Sequence, residues 1–443
     1  MKDGSGNGAG GLKALGLADI RGRDAVFPDV SVKHPRRYDS IVVNSNGVGA
    51  ITFAARMARD PEFAGRVVVV AKPVVESRRL SDGCTLRARS VDYYAAANGV
   101  SREAVLGAIF GADWRQAETD CQRTAIGIAS TPDKSVALGP VTSFMDCALA
   151  EANRTAHQPL AYGIRNSRLV AALNDLAKDS GVLFAEPTGE TVNDLRAHAK
   201  GQRPLIVNGT PKPISGAVWQ YQPAAPQHFV AAAQMAFTAP KREDKGVIGA
   251  QDSFIGMINR DGALDLCVFY PFQDPLSPDA KFYGIFYRAI RKAAVSDKER
   301  QQEILLGELE GVAAALGLAP DTPDETMAMA FVPISPWSAQ MSRQSGVLDL
   351  SRISGGGCPI ISGDGMARAG LGGFVAAEAL LAGHAPEPAM NRALKRWRQT
   401  NYVQYLAMTR APNLSAFALR HAPGPAMSGF RLQRKWDMWA GAY

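Results

Sequence analysis

Tyr38-Asp-Ser-Ile-Val-Val-Asn-Ser-Asn-Gly-Val-Gly-Ala-Ile-Thr-Phe-Ala-Ala-Arg-Met-Ala58, completed by Arg66-Val-Val-Val-Val-Ala71, is the stretch that decides the fold. Tyr38 to Val43 is a short β-branched apolar run of the kind that fills a strand buried on both faces. Asn44-Ser-Asn-Gly-Val-Gly49 reads as a tight turn, and Ala50 to Ala58 as a helix. Pro61 and Gly65 break the helical pattern before the second strand, Arg66 to Ala71. Strand, turn, helix and strand within about 35 residues make a βαβ unit. Its right-handed crossover places both strands parallel in one sheet.

The same alternation continues downstream. Arg165 to Lys178 carries Leu169, Leu173 and Leu176 at i, i+4 and i+7, which makes an amphipathic helix. Gly181 ends it, a strand follows over Val182 to Ala185, and a further strand, Pro204 to Val207, precedes Asn208-Gly209. Short helices are expected over 101–110 and 143–154. From about 218 the pattern turns to strands at 229–237, 253–258, 264–270 and 327–332, with a hairpin signal at Asn259-Arg-Asp-Gly262 and a helix at 296–316. That block reads as an antiparallel sheet inserted into an α/β domain. The α/β character returns with a strand at Pro359 to Asp364, a Gly-rich turn, and a helix from Gly373 to Ala382 closed by Gly383. The expected organisation is a Gly-rich leader at 1–37, a discontinuous α/β domain at 38–217 and 338–385, the inserted sheet at 218–337, and a helical C-terminal segment at 386–443.

A chain of 443 residues exceeds the size of one growing hydrophobic core, in keeping with two domains. It is 46% hydrophobic and 21% charged, and no apolar run approaches the roughly 20 residues that span a bilayer. The leader has no basic stretch followed by an apolar core, so it does not read as a secretory signal, and cytoplasmic residence is expected. Five cysteines (84, 121, 147, 267 and 358) are scattered without a CxxC pair, which argues against a disulfide framework or a zinc site. The six histidines are equally isolated, and no metal is expected. A formal charge of +7 without a basic block does not suggest nucleic-acid binding, and an anionic ligand accounts for it at least as well.

Two segments carry chemistry. The turn at 44–49 stands where a G-x-G-x-x-G dinucleotide fingerprint stands, between strand and helix. Gly49 keeps the last glycine, while Asn44 and Asn46 hold the first two positions. Asparagine enters the left-handed backbone region more readily than other side chains, and Gly47 adds freedom, so amides at the helix start can still cradle a pyrophosphate. The ribose-binding acid expected at the end of the second strand is missing: Ala71 and Lys72 stand there, with Glu76 a little beyond. Taken alone, the turn also reads as a strand–helix connection without a ligand. The second segment is Gly363-Asp364-Gly-Met-Ala-Arg-Ala-Gly-Leu-Gly-Gly373. Its carboxylate can accept a bond from a polyol hydroxyl, and a helix opening at Gly370 to Gly373 offers positive dipole to an anion. Asp364 also reads as a simple cap.

In their order, these segments resemble the FAD-dependent aromatic hydroxylase superfamily of glutathione-reductase-like flavoproteins, over about 38–385. The resemblance implies a Rossmann-type FAD-binding domain with a ββα-capped parallel sheet and an inserted antiparallel-sheet substrate domain. It places Asn44, Asn46, Gly47 and Gly49 at the pyrophosphate, Asp364 with Gly363 at the ribitol, and Gly370, Gly372 and Gly373 near the isoalloxazine. Arg165, which opens its helix, is where the family often has a flavin-contacting arginine. Within the superfamily the chain is most similar to two-component styrene and indole monooxygenases. That similarity rests on Arg79-Leu80, Leu394-Lys-Arg-Trp-Arg-Gln-Thr-Asn401 and Gln433-Arg-Lys-Trp-Asp437.

The activity implied is FAD-dependent oxygenation of a small apolar or aromatic substrate through a flavin C4a-hydroperoxide. No nicotinamide-binding signature is visible, so a separate flavin reductase is the implied partner, and a homodimer is compatible with the chain. Phe254, Met257, Phe269, Phe331 and Trp337 (with Tyr270) are candidates to line the substrate, against the alternative that strand aromatics are core. No catalytic acid or base stands out, because the cofactor carries the oxygen chemistry. Two further readings stay open: a flavin-dependent dehydrogenase, reductase or halogenase on the same scaffold, and a binding or scaffold protein that has lost FAD.

Overall fold

β1 (Ser40–Val43) and β2 (Val67–Val70) are four-residue strands with every residue buried, joined by helix α1 (Val48–Ala58). The computed structural model describes residues 38–75, 83–111, 118–119, 124–129, 142–143, 161–210, 214–217, 227–238, 253–260, 263–272, 280–320, 328–334, 346–350, 365–394, 405–406, 408–412 and 414. After β2 come β3 (Gly83–Arg87), α2 (Ala88–Asn98) and α3 (Arg102–Phe110). The short strands β4 (Glu118–Thr119), β5 (Thr124–Ala129) and β6 (Thr142–Ser143) follow. Next are β7 (Ala161–Arg165), α4 (Asn166–Asp179), β8 (Leu183–Ala185), α5 (Val192–Arg196) and β9 (Pro204–Asn208).

A second group of strands comprises β10 (His228–Thr238), β11 (Ser253–Arg260), β12 (Ala263–Pro271) and β13 (Ala280–Arg291). Helix α6 (Lys298–Ala315), β14 (Ala319–Pro320) and β15 (Ala328–Ile334) complete it. The chain returns through β16 (Val347–Asp349) to α7 (Gly365–Leu381) and α8 (Pro386–Ala393).

The first sheet has the order β16-β9-β1-β2-β8 and is parallel throughout. Alternate side chains feed two cores, as the period of two requires. Ile41, Val43, Val67, Val69, Leu205 and Val207 face α1, α2, α4 and α7, whereas Val42, Val68, Val70 and Ile206 face α5 and Ile214. Burial on both sides explains why these strands read as unbroken valine and isoleucine runs. Helix α4 buries Leu169 and Leu173, and Gly181 follows it in the left-handed region (φ 92°), where the Val182 N–H returns to the Ala177 carbonyl.

The second sheet runs β14-β10-β13-β12-β11-β5-β6, with β15 also on β10. Its pairs are antiparallel except β11–β5, which is parallel. Strands β5 and β6, from the first third of the chain, therefore belong to this sheet. Helix α6 covers one face through Leu305, Leu309, Val312 and Ala313, packed on Phe237, Cys267, Phe269, Phe282 and Phe286. Each such leucine or phenylalanine contributes about 1.5–3 kcal/mol relative to exposure. Within this layer Asp265 is fully buried and takes a bidentate bond from Arg288, whose Nε lies 3.0 and 2.9 Å from its two oxygens. A third sheet, β3-β7-β4, is antiparallel.

Two sequence expectations need correction. The helix expected from Gly373 begins at Gly365, so Gly370, Gly372 and Gly373 are interior helical residues rather than a turn at its N-terminus. Their helix-weakening tendency is outweighed by packing. A Cβ on Gly373 would fall inside the Gly49 carbonyl, and one on Gly370 would sit 2.7 Å from the Tyr94 ring. The helix expected from residue 143 starts within a strand instead, since Ser143 pairs with Ala125. Residues 144–154, and the expected strand at 359–364, lie outside the described residues. No helix among the described residues is long and apolar enough to cross a membrane.

Candidate functional site

The turn after β1 is stitched down by asparagine side chains. Asn44 continues the sheet through its backbone N–H to the Val207 carbonyl (3.0 Å). Its carboxamide donates to Asn208 Oδ1 (2.9 Å) and accepts from the Gly209 N–H (2.7 Å). Asn208 is fully buried and sits beside Asp349, also fully buried, with Nδ2 to Oδ1 at 3.4 Å. Polar side chains thus link the carboxyl ends of β1, β9 and β16. Gly209 has no room for a Cβ, which would meet Ala50 at 2.6 Å and Ser45 at 2.7 Å.

Asn46 faces the other way. Its Nδ2 donates to the Lys72 carbonyl at 2.8 Å, and its own carbonyl accepts from Asn174 Nδ2 at 3.2 Å. Asn174 also donates to Val170 O (2.7 Å), so it fixes the turn to α4. Gly47 caps α1 with an extended backbone (φ −66°, ψ 160°), and its N–H is met by Ser45 Oγ at 3.1 Å. Neither Gly47 nor Gly49 takes a left-handed backbone. What Gly49 supplies is space: a Cβ there would lie 2.8 Å from the Ala369 carbonyl on α7.

Beside this turn lies a cleft of about 430 Å³, lined by Asn46, Lys72, Asn174, Lys178, Phe184 and Glu186 among others. It opens at the carboxyl ends of β2 and β8, on the edge of the sheet at which open α/β folds receive ligands, one strand away from the β9–β1 position where the strand order reverses. Lys178 is paired with Asp175 (Nζ to Oδ1 2.9 Å) and stands 5.6 Å from the Phe184 ring centroid. Among the described residues, Lys72 and Glu186 have no ion-pair partner, so the cleft offers one free cation and one free carboxylate beside a flat ring. This set can meet an anion, a polyol and an aromatic base.

Of the other candidate residues, Arg165 is buried where β7 meets α4 and pairs across the sheet with Gly83. Gly83 lies against the Tyr283 ring and leaves no room for a Cβ, which brings the α/β and antiparallel layers into contact. Phe269 and Phe331 belong to the apolar cluster under α6. The opposite face of the sheet carries Tyr270 and Tyr283, with ring centroids 5.8 Å apart, and Phe272 at 5.4 Å from Tyr283. Phe254 and Met257 are in β11, paired with Phe269 and Leu266. Arg79, Trp337, Gly363 and Asp364 lie outside the described residues.

Sequence reasoning passed over Asn174 and Glu186. Asn174 was detectable as a polar residue on the buried leucine face of α4, where a side chain needs a partner. Glu186 gave no local signal.

The architecture is a Rossmann-type parallel α/β sheet combined with an antiparallel-sheet layer, and solved structures share it. FqzB superposes with a TM-score of 0.51 at 13% identity, covering 86% of this chain and 86% of that one. Aklavinone-11 hydroxylase, solved with FAD and aklavinone, gives 0.48 at 15% identity, covering 88% of this chain and 70% of that one. The halogenase PltM gives 0.48 at 11%, covering 82% and 74%. At these identities the likeness is one of fold, and it is carried by FqzB. No protein-family model and no curated protein matches the sequence.

Proposed function

We propose that this chain holds FAD and oxygenates a small apolar or aromatic substrate, with reduced flavin supplied by a separate reductase. The observation that carries the reading is the cleft at the ends of β2 and β8, directly beside the turn that opens α1. Its donor set suits an adenosine diphosphate half. The Lys72 ammonium can face an anion, Glu186 can accept from ribose hydroxyls, and Phe184 offers a flat surface to the base. Bound FAD would supply oxygen activation, which amino-acid side chains do not provide.

The protein's own task is then to orient the substrate and exclude water. Tyr270, Phe272 and Tyr283 form a buried aromatic cluster on the side of the sheet turned away from α6, an environment compatible with a substrate that is itself aromatic or apolar. Asp364 and Gly363 for the ribitol, and Arg165 for the flavin, remain part of this proposal.

The test is direct. The full chain is mixed with FAD, excess is removed, and the visible spectrum is recorded. A retained, shifted flavin band, followed by oxygen uptake coupled to a flavin reductase, is the expected result. Absence of binding by both oxidised and dithionite-reduced FAD at micromolar concentration overturns the proposal. Anaerobic reduction of the flavin by substrate, or a requirement for halide, would replace the monooxygenase with a dehydrogenase or a halogenase.

A further inference from the structure

In Rossmann-type folds the carboxylate that holds the ribose diol stands at the end of the second strand. Here Ala71 and Lys72 occupy that place. The strand register supplies a substitute one strand over. Val70 pairs with Ala185, and the Ala71 N–H donates to the Ala185 carbonyl at 3.1 Å, so β2 and β8 end side by side. Glu186 is the next residue out of β8 and lines the same cleft as Asn46 and Lys72. Neighbouring strands are about 4.8 Å apart, a displacement that a long glutamate side chain can make up. Among the described residues, the other carboxylate in the cleft, Asp175, is already engaged by Lys178.

We infer that Glu186 is the ribose-binding carboxylate of this chain, accepting hydrogen bonds from the 2′- and 3′-hydroxyls of the adenosine half of FAD. The inference rests on the FAD reading above. It has a second consequence. Lys72, at the end of β2, would favour a 2′-phosphate, and the negative charge of Glu186 opposes it. Glu186 therefore both recognises the free diol and rejects the phosphorylated one.

The experiment is calorimetric titration of the flavin-free full chain and its Glu186→Gln and Asp175→Asn variants. The probes are FAD, FMN, ADP, 2′-deoxy-ADP and adenosine 2′,5′-diphosphate. Glu186 is exposed, so the fold is expected to be unaffected, with an unchanged melting temperature as the check. Glu186→Gln should weaken FAD and ADP by about tenfold to a hundredfold, the range for hydrogen bonds to a charged group. FMN, which lacks adenosine, should bind both proteins equally. The preference for ADP over 2′-deoxy-ADP should collapse in Glu186→Gln and survive in Asp175→Asn, and adenosine 2′,5′-diphosphate should bind Glu186→Gln more tightly than the parent.

If FAD binds and Glu186→Gln keeps the parent's preference for ADP over 2′-deoxy-ADP, the assignment to Glu186 is wrong while the FAD reading stands. The same holds if Asp175→Asn is the variant that loses the preference. If the parent binds neither FAD nor ADP, both fall together.

Discussion

Replacing Gly373 with alanine sets two effects of opposite sign against each other. Within a helix the substitution gains about 1 kcal/mol, because glycine has more backbone freedom to lose. At this position, however, the new Cβ would fall inside the Gly49 carbonyl, with the Gly49 carbonyl carbon at 3.0 Å and the Phe53 nitrogen at 3.2 Å. Overpacking of this kind costs about 1–3 kcal/mol. All three colliding atoms are main chain, so no rotamer change relieves them. Helices α1 and α7 are further tied by the Arg56–Glu378 ion pair.

The upper end of the overpacking range therefore applies, and the net loss is about 2 kcal/mol after the propensity gain. Gly307 in α6 is the control: nothing lies within 4 Å of a Cβ there, so Gly307→Ala should stabilise by about the propensity term alone, ~1 kcal/mol. Urea unfolding followed by circular dichroism, with midpoints compared at unchanged slope, measures both. Hydrogen exchange at α1 and α7 should localise the loss in Gly373→Ala. A Gly373→Ala protein as stable as the parent would refute the close helix crossing, and with it the reading of Gly49 and Gly373 as a matched pair.

Three further outcomes are expected. Asn44→Gly restores the first glycine of the fingerprint, yet it removes the acceptor of the half-buried Gly209 N–H and a donor to Asn208. It should destabilise by about 1–3 kcal/mol in the same urea assay. Arg288→Leu leaves the fully buried Asp265 carboxylate without its bidentate partner and should cost about 3–5 kcal/mol by thermal or urea unfolding.

The third concerns pH. Burial, and then the positive charges of Arg410 and Arg291, hold His228 below its ordinary pKa of 6.5. Its Nδ1 meets the Tyr405 hydroxyl at 3.1 Å. The unfolded chain takes up a proton that the folded chain refuses, so this contribution is present in full above pH 6.5 and is lost as pH falls from there through the lower pKa of the folded state. Melting temperature should fall between pH 7 and pH 5 more steeply in the parent than in His228→Gln, and equal slopes would exclude the residue.

Much of the scaffold was legible locally. The runs Ser40–Val43 and Val67–Val70 announce strands buried on both faces, and the leucine spacing of α4 announces its buried side. The hairpin expected at 259–262 is tighter than that: Asn259 and Arg260 are still in β11, paired with Leu264 and Ala263 of β12. Where local signals competed with packing they misled. The glycines from 370 to 373 look like a turn by composition, but in α7 they are the surface that lets α1 and α2 approach. Asn44 and Asn46 look like imperfect glycines, but their side chains bind Gly209 and the Lys72 carbonyl across the turn.

What the sequence by itself determined was the alternation of buried strands and amphipathic helices, and the place of the turn between β1 and α1. These follow from periods of 2 and 3.6 residues, which each segment carries within itself. Only the tertiary structure decided that β5 and β6 join the antiparallel sheet, that Asn208 and Asp349 meet beside Asn44, and that Glu186 stands next to the end of β2. Those facts depend on pairing between segments tens to hundreds of residues apart. Such pairing is selected by burial and register over the whole molecule, and no local pattern encodes it.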